Sequence, residues 1–299
     1  MNKEKVTWYW TLLKESYWEL KRNDPLRLSS STAFFATFSI IPVLVLFLDA
    51  ASTIFEVQML KDEIFKSLQR IVGQNTTEHL ANILANVQNI QQGPLLTIGI
   101  ALFLLFVATT LFDVVHNSFN QILKVKLKER TALAFHLKNR GLFLLVLLSG
   151  GILFFLTFLT DVIVGYVGNN VFQLSHINPT IVRVLDVTFS AALFSVWLAI
   201  LYKYLPDITL PWRSVWFGTG FTIILFLIGQ FVLSKVMTSS NLDDIYGASA
   251  SMVFLLLFIF YASFILFYGF CLIKKYAEET GYKFESTTFA VRYELKELD

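Results

Sequence analysis

The sequence predicts an all-α, polytopic membrane protein: six transmembrane helices, both termini cytoplasmic, an N-terminal interfacial helix and an outer helical hairpin. Three observations lead there: the composition, six long apolar runs, and the side of those runs on which Lys and Arg collect. Hydrophobic residues make up 55% of the 299 positions and charged residues 15%, with a mean hydropathy of +0.61, too apolar for an ordinary soluble domain. The net charge of +2 carries no global basic excess that would advertise a nucleic-acid partner. The single cysteine, Cys271, excludes an intrachain disulfide and any multi-cysteine metal or cluster site.

Residues 1–29 precede the first apolar run. Trp10, Leu13, Tyr17 and Leu20 recur there at helical spacing, with Trp8, Tyr9 and Trp18 nearby and Lys5, Lys14, Lys21 and Arg22 interspersed. This pattern suits a helix at headgroup level, the alternative being a cytoplasmic helix packed on the bundle. A full-length first span after a charged, aromatic segment argues against a cleaved signal peptide.

A hydrocarbon core of about 30 Å needs roughly 20 apolar residues. Six runs qualify, near 30–51, 95–119, 141–167, 181–204, 212–236 and 247–273. They are apolar all round rather than alternating, so helices are expected and not barrel strands. Lys and Arg number six in the N-terminal segment, six in the second connection, two in the fourth and five in the tail, against four in the first, third and fifth connections together. Both termini are therefore expected on the cytoplasmic side. The long outer connection, 52–94, repeats Val57, Leu60, Ile64 and Leu68, then Leu80, Ile83, Leu84, Val87 and Ile90, around a turn at Gly73–Thr77. It reads as a helical hairpin that caps a cavity or packs on the spans for stability. The tail, 274–299, is expected to be a short cytoplasmic appendage.

Ionisable groups at membrane depth are the functional candidates, because each is costly unless it meets water or a partner. An outer group comprises Asp49, Asp161, Arg183 and Asp186, with Arg183 and Asp186 three apart on one helical face. Its surplus of carboxylates calls for water or for a bound proton. An inner group, Asp113, His116, Asn117 and Asn120, stacks along one face of the second span at i, i+3, i+4 and i+7. Its functional reading is a substrate path or proton relay; the alternative is interhelical hydrogen bonding that locks the bundle. Pro42, the only proline within a span, frees the carbonyl of Phe38 and predicts a kink, at a transport site or merely as fitted packing. Gly150, Gly151, Gly218, Gly220 and the Gly247–Ser251 stretch permit close helix approach.

No phosphate-binding glycine loop and no His-Glu-x-x-His is present, and His79, His116, His136 and His176 are scattered. No catalytic, cofactor or metal site is expected. The basic connection 124–140 is accounted for by topology and anionic headgroups, so nucleic acid is not an expected partner.

Over roughly residues 20–275 the chain resembles the YihY/virulence factor BrkB family of bacterial inner-membrane proteins. The matching features are Asp24-Pro25, Ala33-Phe34-Phe35, the Phe38–Pro42 segment, Asn120 within Ser118–Ile122, Leu201–Pro206 with Trp212, Tyr246-Gly247 and Gly269. Members commonly have Gly-Ala-Glu near the end of the last span, where this chain has Gly269-Phe270-Cys271; no role resting on that glutamate transfers. The resemblance implies six spans in the inner membrane and points to envelope transport, with lipid a candidate cargo. A ribonuclease BN label once carried by members finds no nuclease chemistry here. The expected function is therefore a membrane transporter or lipid translocator, with a non-transporting scaffold of envelope machinery as the alternative. Expected partners are membrane lipids and envelope proteins; the sequence does not determine an oligomeric state.

Overall fold

The structure is a computed structural model that describes residues 3–51, 73–88, 94–127, 179–239, 250–284 and 290–293, together with 61–62, 64–66, 68–69, 141, 145–146, 149–150, 152–153 and 156. Among the described residues the elements with full bounds are α1 Lys3–Arg22, α2 Pro25–Ala51, α3 Gln74–Gln88, α4 Pro94–Leu123, β1 Val125–Leu127, α5 Pro179–Tyr204, α6 Trp212–Ser239, α7 Ala250–Glu279 and β2 Ala290–Arg292, and the described positions in 61–69 and 141–156 are helical as well.

Local chemistry sets the ends. Pro25, Pro94 and Pro179 each open a helix, where the missing N–H costs nothing and the fixed φ is already helical. Asp24, at φ 53°, turns the chain sharply between α1 and α2. Gly73, at φ 82°, precedes α3, and its carbonyl accepts from both the N–H and the hydroxyl of Thr77 at 3.2 and 2.8 Å. At the end of α7, Gly281 lies at φ 74°, while Tyr282 N–H donates to the Ala277 carbonyl and Gly281 N–H to that of Glu278, both at 3.0 Å. That is the Schellman closure, which glycine adopts without a Cβ penalty.

Among the described residues, three helices are long and apolar enough to cross a membrane: Pro25–Val45, Trp212–Leu233 and Ala250–Glu279. The helices overrun the expected spans. α2 begins at Pro25 rather than 30, and α7 continues to Glu279 rather than ending at 273, because no helix-breaking residue stands at either hydropathy boundary. The expected third span, 141–167, lies mostly outside the described residues.

The main core gathers Phe119 of α4, Tyr202 of α5 and Phe267 and Phe270 of α7, all fully buried. Phe119 stacks on Phe270 with centroids 4.0 Å apart, and Tyr202 lies 5.7 Å from Phe119. The Tyr202 hydroxyl donates to the Leu266 carbonyl at 2.8 Å and contacts the Thr222 hydroxyl at 3.0 Å, tying α5, α6 and α7 at one point. A Cβ on Gly269 would sit 1.8 Å from Thr222 Oγ1, so this close approach requires glycine. Two smaller clusters seat α3 against the bundle, one with Val45 and Leu48 of α2, the other with Phe254 and Leu255 of α7.

Two features depart from a purely helical expectation of detached ends. β1 and β2 pair antiparallel, Val125 opposite Arg292 and Leu127 opposite Ala290, so the tail returns to the basic connection. α1 packs along α7 through Leu12, Ser16, Glu19 and Leu20, which are buried, while Trp10, Tyr17 and Trp18 face outward. The helix is thus both packed and aromatic on its free side.

Candidate functional site

At the end of the bundle that carries α1, the last turns of α4 become a junction. The inner group divides there: His116 and Asn120 are buried, whereas Asp113 and Asn117 are exposed. At 100° per residue the four span about 100° of the helix, wide enough for the boundary of the packed face to run through them. Val115, Phe119 and Ile122 are buried and turn the His116–Asn120 side inward.

The buried pair meets a carboxylate that hydropathy did not single out, Asp207, in the turn between α5 and α6. The Asn120 side-chain amide donates to Asp207 Oδ2 at 2.7 Å, and its carbonyl oxygen accepts the Asp207 backbone N–H at 3.0 Å. One amide therefore holds both the side chain and the backbone of the turn, and this pairing also fixes which end is oxygen. His116 Nε2 lies 3.0 Å from Asp207 Oδ2 and 3.1 Å from Asn120 Nδ2. Two acceptors at that separation would repel, so a proton lies between the imidazole and the carboxylate. With Nε2 as its donor, the carboxylate accepts from both His116 and Asn120.

The residues after Asn120 bind further elements. The Gln121 side chain donates to the Asn23 carbonyl at 3.3 Å and accepts from Arg27 at 2.9 Å, which secures the α1–α2 turn. The Ile122 carbonyl accepts from Lys274 Nζ of α7 at 2.8 Å. Lys274 also donates to Glu19 of α1 in a buried ion pair. Burial pushes the Glu19 carboxyl upward, but the hydrogen bond and charge of Lys274, with Lys275 and Lys124 nearby, prevail and hold it below its ordinary value. Lys124, at φ 56°, ends the helix and sends the chain into β1.

The remaining candidates fall on other helices or outside the described residues. Asp49 lies in the last turn of α2 and Arg183 and Asp186 in the first turns of α5, with side chains outside the described set; Asp161 lies outside the described residues altogether. Pro42 is buried within α2, which continues through it to Ala51. One turn earlier, Ser39 donates to the carbonyls of Phe35 at 2.7 Å and Val107 at 3.0 Å, joining α2 to α4. Among the described residues no three His, Cys, Asp or Glu side chains gather as a metal site.

Asp207, Glu19 and Lys274 were missed because residues outside the spans were weighed only for topology. A signal was present for Asp207: it stands between Pro206 and Ile208, in a connector too short and too apolar to be a solvated loop. Lys274 had the signal of being the first charge after a long apolar run. Glu19 had none, since it lies off the Trp10, Leu13, Tyr17 and Leu20 stripe, on the side of α1 that carries Glu15, Ser16 and Asn23 and reads as solvent-facing.

A family model described as virulence factor BrkB matches residues 16–289, which takes in every element of the junction from Glu19 to Lys274. No curated protein and no solved structure matches the chain. With nearly the whole chain inside the matched region, and apolar helices of membrane-crossing length within it, this membrane protein belongs to the virulence factor BrkB family.

Proposed function

We propose that the chain is a six-span protein of the bacterial inner membrane, both termini cytoplasmic, that moves a lipid or solute along an intramembrane polar path and catalyses no reaction. The observation that carries this reading is the buried His116–Asn120–Asp207 set. A titratable pair kept at the end of a membrane helix bundle is costly to maintain by packing alone, and it stands where a path would meet the cytoplasm. Asp49, Asp161, Arg183 and Asp186 would open the opposite end. The one-sided distribution of Lys and Arg supports the orientation. Membrane lipids and envelope proteins are the proposed partners, with no role for nucleic acid.

A scaffold of envelope machinery that transports nothing is the second reading. It is favoured by the way Asn120, Gln121 and Ile122 each tie a different element, as a rigid platform would require. Transbilayer movement of labelled phospholipid in proteoliposomes separates the two, comparing the native chain with Asp207→Asn and Asp161→Asn at matched folding. The transport reading expects flux above empty vesicles that drops to their level in at least one variant. Native vesicles that move neither lipid nor, in the same preparation, ions and small solutes would leave only the scaffold.

A further inference from the structure

The outward face of α1 is unlike that of a helix in water. Trp10 is 70% exposed, Tyr17 49% and Trp18 47%, and the exposed cations Lys14, Lys21 and Arg22 lie among them. At 100° per residue, Tyr17, Trp10, Lys21 and Lys14 fall within about 60° of arc, opposite the Leu12, Ser16 and Glu19 side that packs on α7, except at the Tyr17 margin, where the ring meets Tyr268 edge-on with centroids 6.4 Å apart. Lys21 Nζ sits 4.7 Å from the centroid of the Trp18 ring. Amphipathic rings beside cations are the side chains that the headgroup layer solvates best.

The pattern continues beyond α1. At the opening of α6, Trp212 and Trp216 are exposed and stack at 6.5 Å, with Arg213 exposed between them. Tyr9 of α1 stacks on Phe217 of α6 at 5.9 Å, so the two sets are neighbours at one end of the bundle. Below them α2 turns apolar side chains outward, Leu26, Phe34 and Phe38, as expected of a surface that descends into hydrocarbon.

We propose that this collar, centred on Trp10, Tyr17, Lys14 and Lys21, is a docking surface for anionic phospholipid headgroups in preference to zwitterionic ones. The rings set the depth and the lysines supply the charge preference. The proposal stands whether or not the chain transports anything.

The test uses the full chain in liposomes of equal parts phosphatidylglycerol and phosphatidylcholine, with bromine on the acyl chains of one lipid or the other. The difference between the native chain and Trp10→Phe isolates the quenching of Trp10. Brominated phosphatidylglycerol is expected to quench Trp10 more than brominated phosphatidylcholine. Lys14→Gln and Lys21→Gln should each weaken that preference by about fivefold. Equal quenching by the two lipids would overturn the anionic preference, and no quenching of Trp10 by either would show the face to be wet or covered by protein. Because the comparison of lipids needs only the native chain and Trp10→Phe, a poorly folding lysine variant does not spoil it.

Discussion

Asp207 has its backbone N–H and its carboxylate held by one side chain, Asn120, and its Oδ2 lies within hydrogen-bond distance of His116 Nε2. Replacing it by Asn keeps the shape but sets an amide against two donors. Asp207→Asn should lower the stability of the detergent-solubilised protein by about 1–3 kcal/mol, measured as a fall in melting temperature. An unchanged melt would mean that the buried set does not stabilise the fold. Gly269 allows a sharper prediction. A methyl there would overlap Thr222 Oγ1 at 1.8 Å and approach Tyr202 Oη at 2.8 Å, so Gly269→Ala should cost about 1–3 kcal/mol through overpacking. Adding Thr222→Ala removes the nearer atom and should restore part of the loss; no restoration would move the strain elsewhere. Gly269 is legible in the sequence as a motif residue, yet its reason is not, because the atoms it must clear lie on other helices.

Among the elements, α1 is bound to the bundle by a buried ion pair. The Glu19 carboxyl is held below its ordinary value of 4.5 in the folded protein. A depressed folded pKa contributes stability that is fully present above the unfolded value and is lost as pH falls through the folded one. Thermal melts should therefore weaken progressively as pH drops below about 4.5, and Glu19→Gln should flatten that acid limb while lowering stability at neutral pH. Equal acid sensitivity in the variant would assign the limb to other carboxylates. The length of the unbroken apolar runs made the long helices readable, and Gly73 marked its turn, whereas the prolines at 25, 94 and 179 set starts that hydropathy places later. The β1–β2 pairing was not readable: each strand is three residues long, shorter than any periodicity can register.

For the whole molecule, the proposed topology puts α3 on the outer side of the membrane and β1 on the cytoplasmic side. Glu78 and Lys126 are exposed on those elements, and Cys271 is buried. In intact cells, Glu78→Cys should react with a membrane-impermeant maleimide, and Lys126→Cys only after permeabilisation. Labelling of both from the same side would break the six-span alternation. The positive-inside count rests on charges summed over whole connections, so it survives errors of a few residues at each span end. Which polar residues meet is a different matter. Asn120 and Asp207 are 87 positions apart, and Glu19 and Lys274 are 255 apart.

The amino-acid sequence by itself determined that this is a helical membrane protein of the BrkB family, because hydropathy, charge bias and motif order are properties of single segments. Tertiary structure alone decided that the stripe on α4 splits into a buried half and an exposed half, and that its buried half pairs with the α5–α6 turn. It also decided that α1 is packed on one face and aromatic on the other. The physical reason is that a helix's own period defines a stripe about 100° wide, while the edge of the packed face within it is drawn by whichever neighbours arrive.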